Sequence, residues 1–173
     1  AIMASEPQYN TFIIGPIDLK LNNNLMHYWN LLISHDKEEL AGKYLNQANY
    51  SKQYEIYGKQ YLLNCPAKGV LFTHGDSDTY PVWYVQEKLG YRTDVAVLNK
   101  SLLGAQWFVN HSITKHDLTV SLDWKTIFEK SIMQFFFNSS NPESISLDSM
   151  ILELNKKIQL NLEKPYLELE FGR

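Results

Sequence analysis

Six consecutive residues, His74, Gly75, Asp76, Ser77, Asp78 and Thr79, form the densest polar cluster of the sequence. Asp76-Ser77-Asp78 spells the Asp-x-Asp pattern with which many nucleotide-sugar transferases hold a divalent metal. Carboxylate oxygens suit hard cations, so Mg²⁺, Mn²⁺ or Ca²⁺ on Asp76 and Asp78 is one reading. In that reading His74 serves as base, and the chemistry is a metal-assisted glycosyl transfer or hydrolysis. A second reading has the two carboxylates hold the hydroxyls of a sugar. A third is structural: Asp78 or Thr79 caps a helix beginning near Pro81, while Asp76 holds the turn through backbone N–H groups. Direct phosphate binding is disfavoured. A phosphate about 4 Å from one carboxylate is repelled by about 4 kcal/mol at an effective dielectric near 20. A helix N-terminus returns only about 0.3–1 kcal/mol.

The elements around the cluster can be read directly. Residues 70–73 are a compact apolar strand entered through Gly69. Pro81 suits a first helical turn, Val82, Val85 and Leu89 form a helical stripe, and Gly90 is placed to stop it. Residues 95–98 are a second apolar strand. Strand, loop, helix and strand make a βαβ unit with a parallel pair and a right-handed crossover. Such sheets bind ligands outside the carboxyl ends of their strands. The candidate ligand residues are therefore Thr73, His74, Asp76, Asp78, Thr79 and Asn99. Trp83 joins them if its face is exposed for stacking on a sugar; the alternative places it in the core.

Residues 70–103 also carry a family resemblance. Gly75, Asp76, Asp78, Thr79, Pro81, Trp83, Tyr84, Gln86 and Glu87 fall in the order of a signature from a bacterial family of unknown function. The likeness runs back through residues 57–66 and forward to Trp107. Members resembling this stretch are polytopic membrane proteins related to protein O-mannosyltransferases, which carry it in a C-terminal soluble region; related soluble versions are attached to helical repeats. This sequence has His74 and Ser77 where the family more often has Asn. The resemblance implies an extracytoplasmic domain of the periplasm or cell envelope with a glycan or nucleotide-sugar ligand. It also implies association with a membrane or helical-repeat protein. Transferase chemistry is expected in the membrane-embedded portion, which this sequence lacks. An accessory, non-catalytic ligand-binding role is therefore the leading expectation for the chain, with a structural or partner-binding domain as a further alternative.

The remainder sets bounds. A chain of 173 residues that is 45% hydrophobic fits one globular domain over 1–173, with residues 1–8 set apart as a processed N-terminal remnant. The net charge of −3 and the absence of a basic block exclude the footprint of a nucleic-acid binder. No apolar run approaches the roughly 20 residues of a membrane span. Cys65 is the only cysteine, so no intramolecular disulfide forms. His111 and His116 are five apart, off the spacing of a helical zinc pair.

Pattern reading places a strand at 11–14 and an ambiguous segment at 19–33, where Asn22-Asn23-Asn24 resembles a loop or helix start. It places a helix at 36–48 with an Asp36/Glu39 capping box, and one at 50–64 with a stripe of Tyr50, Tyr54, Tyr57 and Tyr61. Further along come a helix at 102–110, a strand at 118–122 and a helix from Asp123 carrying Ile127, Phe128, Ile132, Phe135 and Phe136. A helix capped by Ser146 and a strand at 166–171 complete the reading. The expected class is α/β, a small mixed three-layer sheet with a parallel βαβ unit (strands near 70–74 and 95–99) and helices on its faces.

Overall fold

The computed structural model describes residues 10–11, 15–121, 124–129, 134–138, 146–160 and 166–170. Two short strands, Asn10–Thr11 (β1) and Gly15–Pro16 (β2), pair antiparallel. Most of the strand expected at 11–14 lies outside the described residues. Three helices follow, Ile17–Ile33 (α1), Glu38–Gln47 (α2) and Lys52–Leu63 (α3). Then come Val70–Thr73 (β3), Asp76–Glu87 (α4), Ala96–Asn99 (β4), a 3-10 turn at Lys100–Leu102 and Gln106–His116 (α5). The chain continues through Trp124–Glu129 (α6), Gln134–Asn138 (β5), Leu147–Leu160 (α7) and Tyr166–Glu170 (β6). It divides into two compact units, residues 1–117 and 118–173.

The parallel βαβ unit forms as the sequence implies, and the class is α/β. Val70 pairs with Ala96 and Thr73 with Asn99, parallel and in register. Tyr80, Val82, Trp83, Tyr84 and Val85 of α4 are buried in one core with Leu19, Met26 and Trp29 of α1, Leu62 of α3, Val95 and Val97 around β4, and Phe108 of α5. The strands lie in three two-stranded ladders: β1–β2, β3–β4 and β5–β6.

The asparagine run is not a loop. Asn22 and Asn23 sit inside α1 at 6% and 1% exposure, and each is bonded across to another segment. Asn22 Oδ1 accepts from the Asn49 N–H (2.6 Å), and Asn23 Oδ1 accepts from the Tyr50 hydroxyl (2.6 Å). Buried amides paired in this way turn residues that normally mark turns into a clamp between α1 and the connector ahead of α3. The Asp36/Glu39 capping box does not form. Asp36 adopts φ +57° and closes α1 instead, with its N–H on the Ile33 carbonyl and the Lys37 N–H on Leu32. This is a Schellman-type stop, and α2 begins at Glu38 without a side-chain cap.

Helix α4 begins five residues before Pro81, which lies inside it. The turn is made by Gly75 at φ +78°, a left-handed conformation that glycine tolerates best. Gly90, at φ +65°, closes the far end, and its N–H bonds to the Gln86 carbonyl. Beyond it the Arg92 guanidinium gathers the carbonyls of Leu62, Cys65 and Pro66 and the carboxylate of Asp94. The end of α3 is thereby tied to the entry of β4.

In the second unit, residues 118–121 are irregular rather than a strand, and Asn155 Nδ2 takes the Ser121 carbonyl (2.8 Å). Phe135 and Phe136 belong to β5, not to the preceding helix. That aromatic run pairs parallel with β6, from Gln134 against Tyr166 to Asn138 against Glu170. Strand, α7 and strand therefore make a second βαβ unit. Ser146 does cap α7, its Oγ accepting from the Ser149 N–H (3.2 Å), and Leu154 and Ile158 of this helix are buried. No described helix is long and apolar enough to cross a membrane.

Candidate functional site

The carboxyl ends of β3 and β4 lie side by side at Thr73 and Asn99, which are 4% and 0% exposed. Register partners in a ladder point to the same face, so both side chains face the start of α4. Thr79 Oγ1 donates to the Gly75 carbonyl and lies 2.7 Å from Thr73 Oγ1. The Thr73 hydroxyl also reaches the Leu98 carbonyl at 3.4 Å. Asn99 Oδ1 accepts from the Ser101 N–H at 2.9 Å. Its Nδ2 is buried and has no partner among the described residues. Thr73, Thr79 and Asn99 are a polar floor beneath the loop, closed off from solvent.

Above that floor the first turn of α4 has no side-chain cap. Asp76 is exposed and Asp78 half-buried. The Asp78 Oδ1 accepts from the Tyr57 hydroxyl of α3 at 3.2 Å. The charge of Asp76 acts on the phenols of Tyr80 and Tyr50. Burial, followed by the charge of Asp76, pushes the Tyr80 phenol above its ordinary range. Burial does the same for Tyr50, with Tyr80 and Asp76 adding to it, and for Tyr57, with Tyr61 and Asp78 adding to it. Each of these phenols keeps its proton; that of Tyr50 is given to Asn23 Oδ1 and that of Tyr57 to Asp78 Oδ1. Ser77 Oγ accepts from Asn23 Nδ2 at 3.3 Å.

Two positions apart on a helix are turned by roughly 200°. Asp76 and Asp78 accordingly leave the helix in different directions, Asp78 toward Tyr57 of α3. Among the described residues no group of three metal-binding side chains gathers anywhere. His74 is exposed at the loop apex. Trp83 is 6% exposed; its indole N–H bonds to the Val97 carbonyl at 3.1 Å, and its ring packs on Trp29, Tyr80 and Phe108. That side chain is core, as the alternative reading had it. Gln86, buried, donates to the Arg92 and Val95 carbonyls and ties α4 to the entry of β4.

The family model described as TMEM260-associated domain 2 matches residues 54–161, more than half of the chain. The chain belongs to that family. The match spans the loop, the βαβ unit and α7, and it agrees with the O-mannosyltransferase-related resemblance at that coarser level. No curated protein and no solved structure matches the chain.

Within this TMEM260-associated domain, pattern reading found the loop but missed the side chains that surround it. Tyr50 and Tyr57 were visible only as members of a tyrosine stripe. Asn23 was masked by its neighbours, and His27 had no signal of its own. Their partners lie between 21 and 54 residues away in sequence, beyond the reach of any local pattern.

Proposed function

We propose that the chain is an accessory, non-catalytic domain that binds a neutral, hydroxyl-rich ligand, a glycan, at the carboxyl edge of the β3–β4 ladder. Its setting is a glycan-handling system of the cell envelope, on the extracytoplasmic side, beside a membrane-embedded enzyme. One observation carries the reading: neither loop carboxylate caps α4; Asp76 is exposed, and Asp78, half-buried, has Oδ1 bonded to Tyr57. Ionised carboxylates accept strong hydrogen bonds from sugar hydroxyls, while the uncapped first-turn amides donate to sugar oxygens. The same carboxylates repel a diphosphate, so a free sugar is preferred to a nucleotide sugar. Family membership and the O-mannosyltransferase link support the ligand class.

The test is a titration of ¹⁵N-labelled protein with methyl mannoside, other monosaccharides and nucleotide sugars. Shifts are expected at Gly75, Asp76, Ser77 and Asp78 with the neutral sugars, and they should vanish in Asp76→Asn. A spectrum that no saccharide perturbs at tens of millimolar would sink the reading.

A partner-binding role has one observation of its own. Val70 and Phe72, on the outer face of β3, are 45% and 57% exposed, whereas parallel ladders are ordinarily covered on both faces. If that face docks a protein, Phe72→Ser abolishes the association and leaves sugar titrations unchanged.

A further inference from the structure

The β3–β4 ladder has two outer edges, and the fold closes one of them. β4 is buried throughout, and its Val97 carbonyl, turned away from β3, accepts the Trp83 indole N–H at 3.1 Å. The outer edge of β3 is open. Val70 pairs with Ala96, and the Ala96 N–H bonds to the Gly69 carbonyl at 2.9 Å. Along a parallel ladder alternate residues turn their N–H and C=O groups to the partner strand. Gly69, Leu71 and Thr73 therefore turn toward β4, and the N–H and C=O groups of Val70 and Phe72 turn outward. No described strand lies on that side, and no described residue bonds to those four groups. The side chains of the same two residues are 45% and 57% exposed. The usual protection of an edge is missing as well: Val70-Leu71-Phe72-Thr73 holds no charge, proline or glycine.

We propose that β3 pairs antiparallel with β3 of a second copy of this chain, making a four-stranded sheet across a twofold axis. The proposal names the occupant of the open β3 edge and does not depend on the glycan reading. The register follows from the groups that are free. In an antiparallel pair, a residue whose N–H and C=O face the partner strand exchanges both bonds with the residue opposite. A twofold through Leu71 sets Val70 of each copy opposite Phe72 of the other, and all the outward groups are then paired. Each opposed pair is a β-branched side chain against an aromatic one, a favourable cross-strand combination. The charges fit the same arrangement. Lys68 is exposed at the entry of β3 and Asp76 beyond its exit, while Asp94 near the entry is already paired with Arg92. Antiparallel strands bring the entry of one copy to the exit of the other, Lys68 toward Asp76 at both ends. Parallel strands would set Lys68 against Lys68 and Asp76 against Asp76. The contact is small, so the dimer is a weak, exchanging one.

Sedimentation velocity of the full chain, from micromolar to several hundred micromolar, is expected to show a monomer passing into a dimer. In hydrogen-exchange spectra the Val70 and Phe72 amides should gain protection only at the high concentrations. Val70→Pro removes an N–H that makes no bond within the chain, at the first residue of an edge strand where proline is tolerated. Phe72→Lys puts a charge on the edge. Each variant should weaken association at least about tenfold, with the thermal midpoint of dilute protein confirming that it folds. In a Cys65→Ser background, Leu71→Cys should cross-link to its mate on the axis. Phe72→Cys lies a diagonal away from its own mate, too far for a disulfide, and should not. A chain that stays monomeric, a dimer that both folded edge variants leave intact, or cross-linking at Phe72→Cys instead of Leu71→Cys overturns the proposal. So does protection of the Val70 and Phe72 amides that appears only with an added apolar peptide, which would give the edge to a foreign strand.

Discussion

Gly58 of α3 lies flat against the backbone of Pro81 in α4: a Cβ built on Gly58 would stand 2.7 Å from the Pro81 carbonyl oxygen and 2.9 Å from Val85 Cγ2. Pro81 has no N–H, so the Ser77 carbonyl one turn earlier receives no helical bond from it. The helix is weakest in its own ladder where α3 crosses it most closely. That crossing sets where α4, and with it Asp76 and Asp78, sits relative to Tyr57 on α3.

Gly58→Ala tests the crossing. Alanine improves helix propensity by roughly 1 kcal/mol, while overpacking against a backbone oxygen costs roughly 1–3 kcal/mol. The clash is expected to win, with a net loss of up to about 2 kcal/mol in urea unfolding by that arithmetic. Gly42→Ala in α2 is the control: nothing lies within 4 Å of its Cβ position, so only the propensity gain remains. A Gly58→Ala protein as stable as Gly42→Ala would remove the close crossing from the account.

The Thr73–Thr79 pair under the loop should behave as a coupled unit. Thr79→Val removes a hydroxyl that bonds both Thr73 and the Gly75 carbonyl and leaves Thr73 Oγ1 with only its 3.4 Å contact to the Leu98 carbonyl; a buried group left poorly paired costs up to about 1–3 kcal/mol. With Thr73→Val added, no orphan hydroxyl is left behind. The double variant should therefore lose less than the sum of the singles, by about 0.5–3 kcal/mol. Additive losses would mean that the 2.7 Å contact contributes nothing.

Much of the βαβ unit was legible because its signals are local. Apolar runs at 70–73 and 95–98, bracketed by Gly69 and Gly90, need no distant partner to be recognised. The start of α4 was misplaced because proline favours the first turn of a helix, whereas here Gly75 makes the turn and Pro81 is carried inside. Helix α1 was obscured by three asparagines, two of which, Asn22 and Asn23, are held in the helix by Asn49, Tyr50 and Ser77. The β5 aromatics were drawn into a helix because the strand that claims them begins at Tyr166. The same physics divides the site. Asp76 and Asp78 stand out in sequence, but His27 meets Tyr80 across 53 positions and becomes visible only when α1 packs on α4.

Acid should weaken the fold through α5. Burial, then the charge of Lys115, lowers the pKa of both His111 and His116, against the opposing pull of Glu87. Asp36 also faces His111, and the two histidines disfavour each other's charge at His116. A histidine whose folded pKa lies below its unfolded value near 6.5 binds its proton more readily when unfolded. Stability is therefore fully present above about pH 6.5 and declines as pH falls through that value toward the folded pKa. Thermal unfolding should show a lower midpoint at pH 5 than at pH 8, and replacing both histidines by Gln should flatten the difference. An unchanged slope in that double variant would assign the acid sensitivity elsewhere.

Asp76→Asn and Asp78→Asn decide whether the loop carboxylates serve the fold or a ligand. Each sits in the first turn of α4, where a negative charge gains about 0.3–1 kcal/mol from the helix dipole. Neither caps the helix, and the amide that Asp78→Asn introduces retains an oxygen able to accept from Tyr57. Each variant should therefore lose no more than about 1 kcal/mol in denaturant unfolding, the full dipole contribution. Loss of a true cap can reach about 2 kcal/mol. A loss of that size in either variant would return the residue to a structural role and leave its carboxylate no claim on a ligand. A stable Asp76→Asn protein that has lost its saccharide response places the function of the loop in the carboxylate itself.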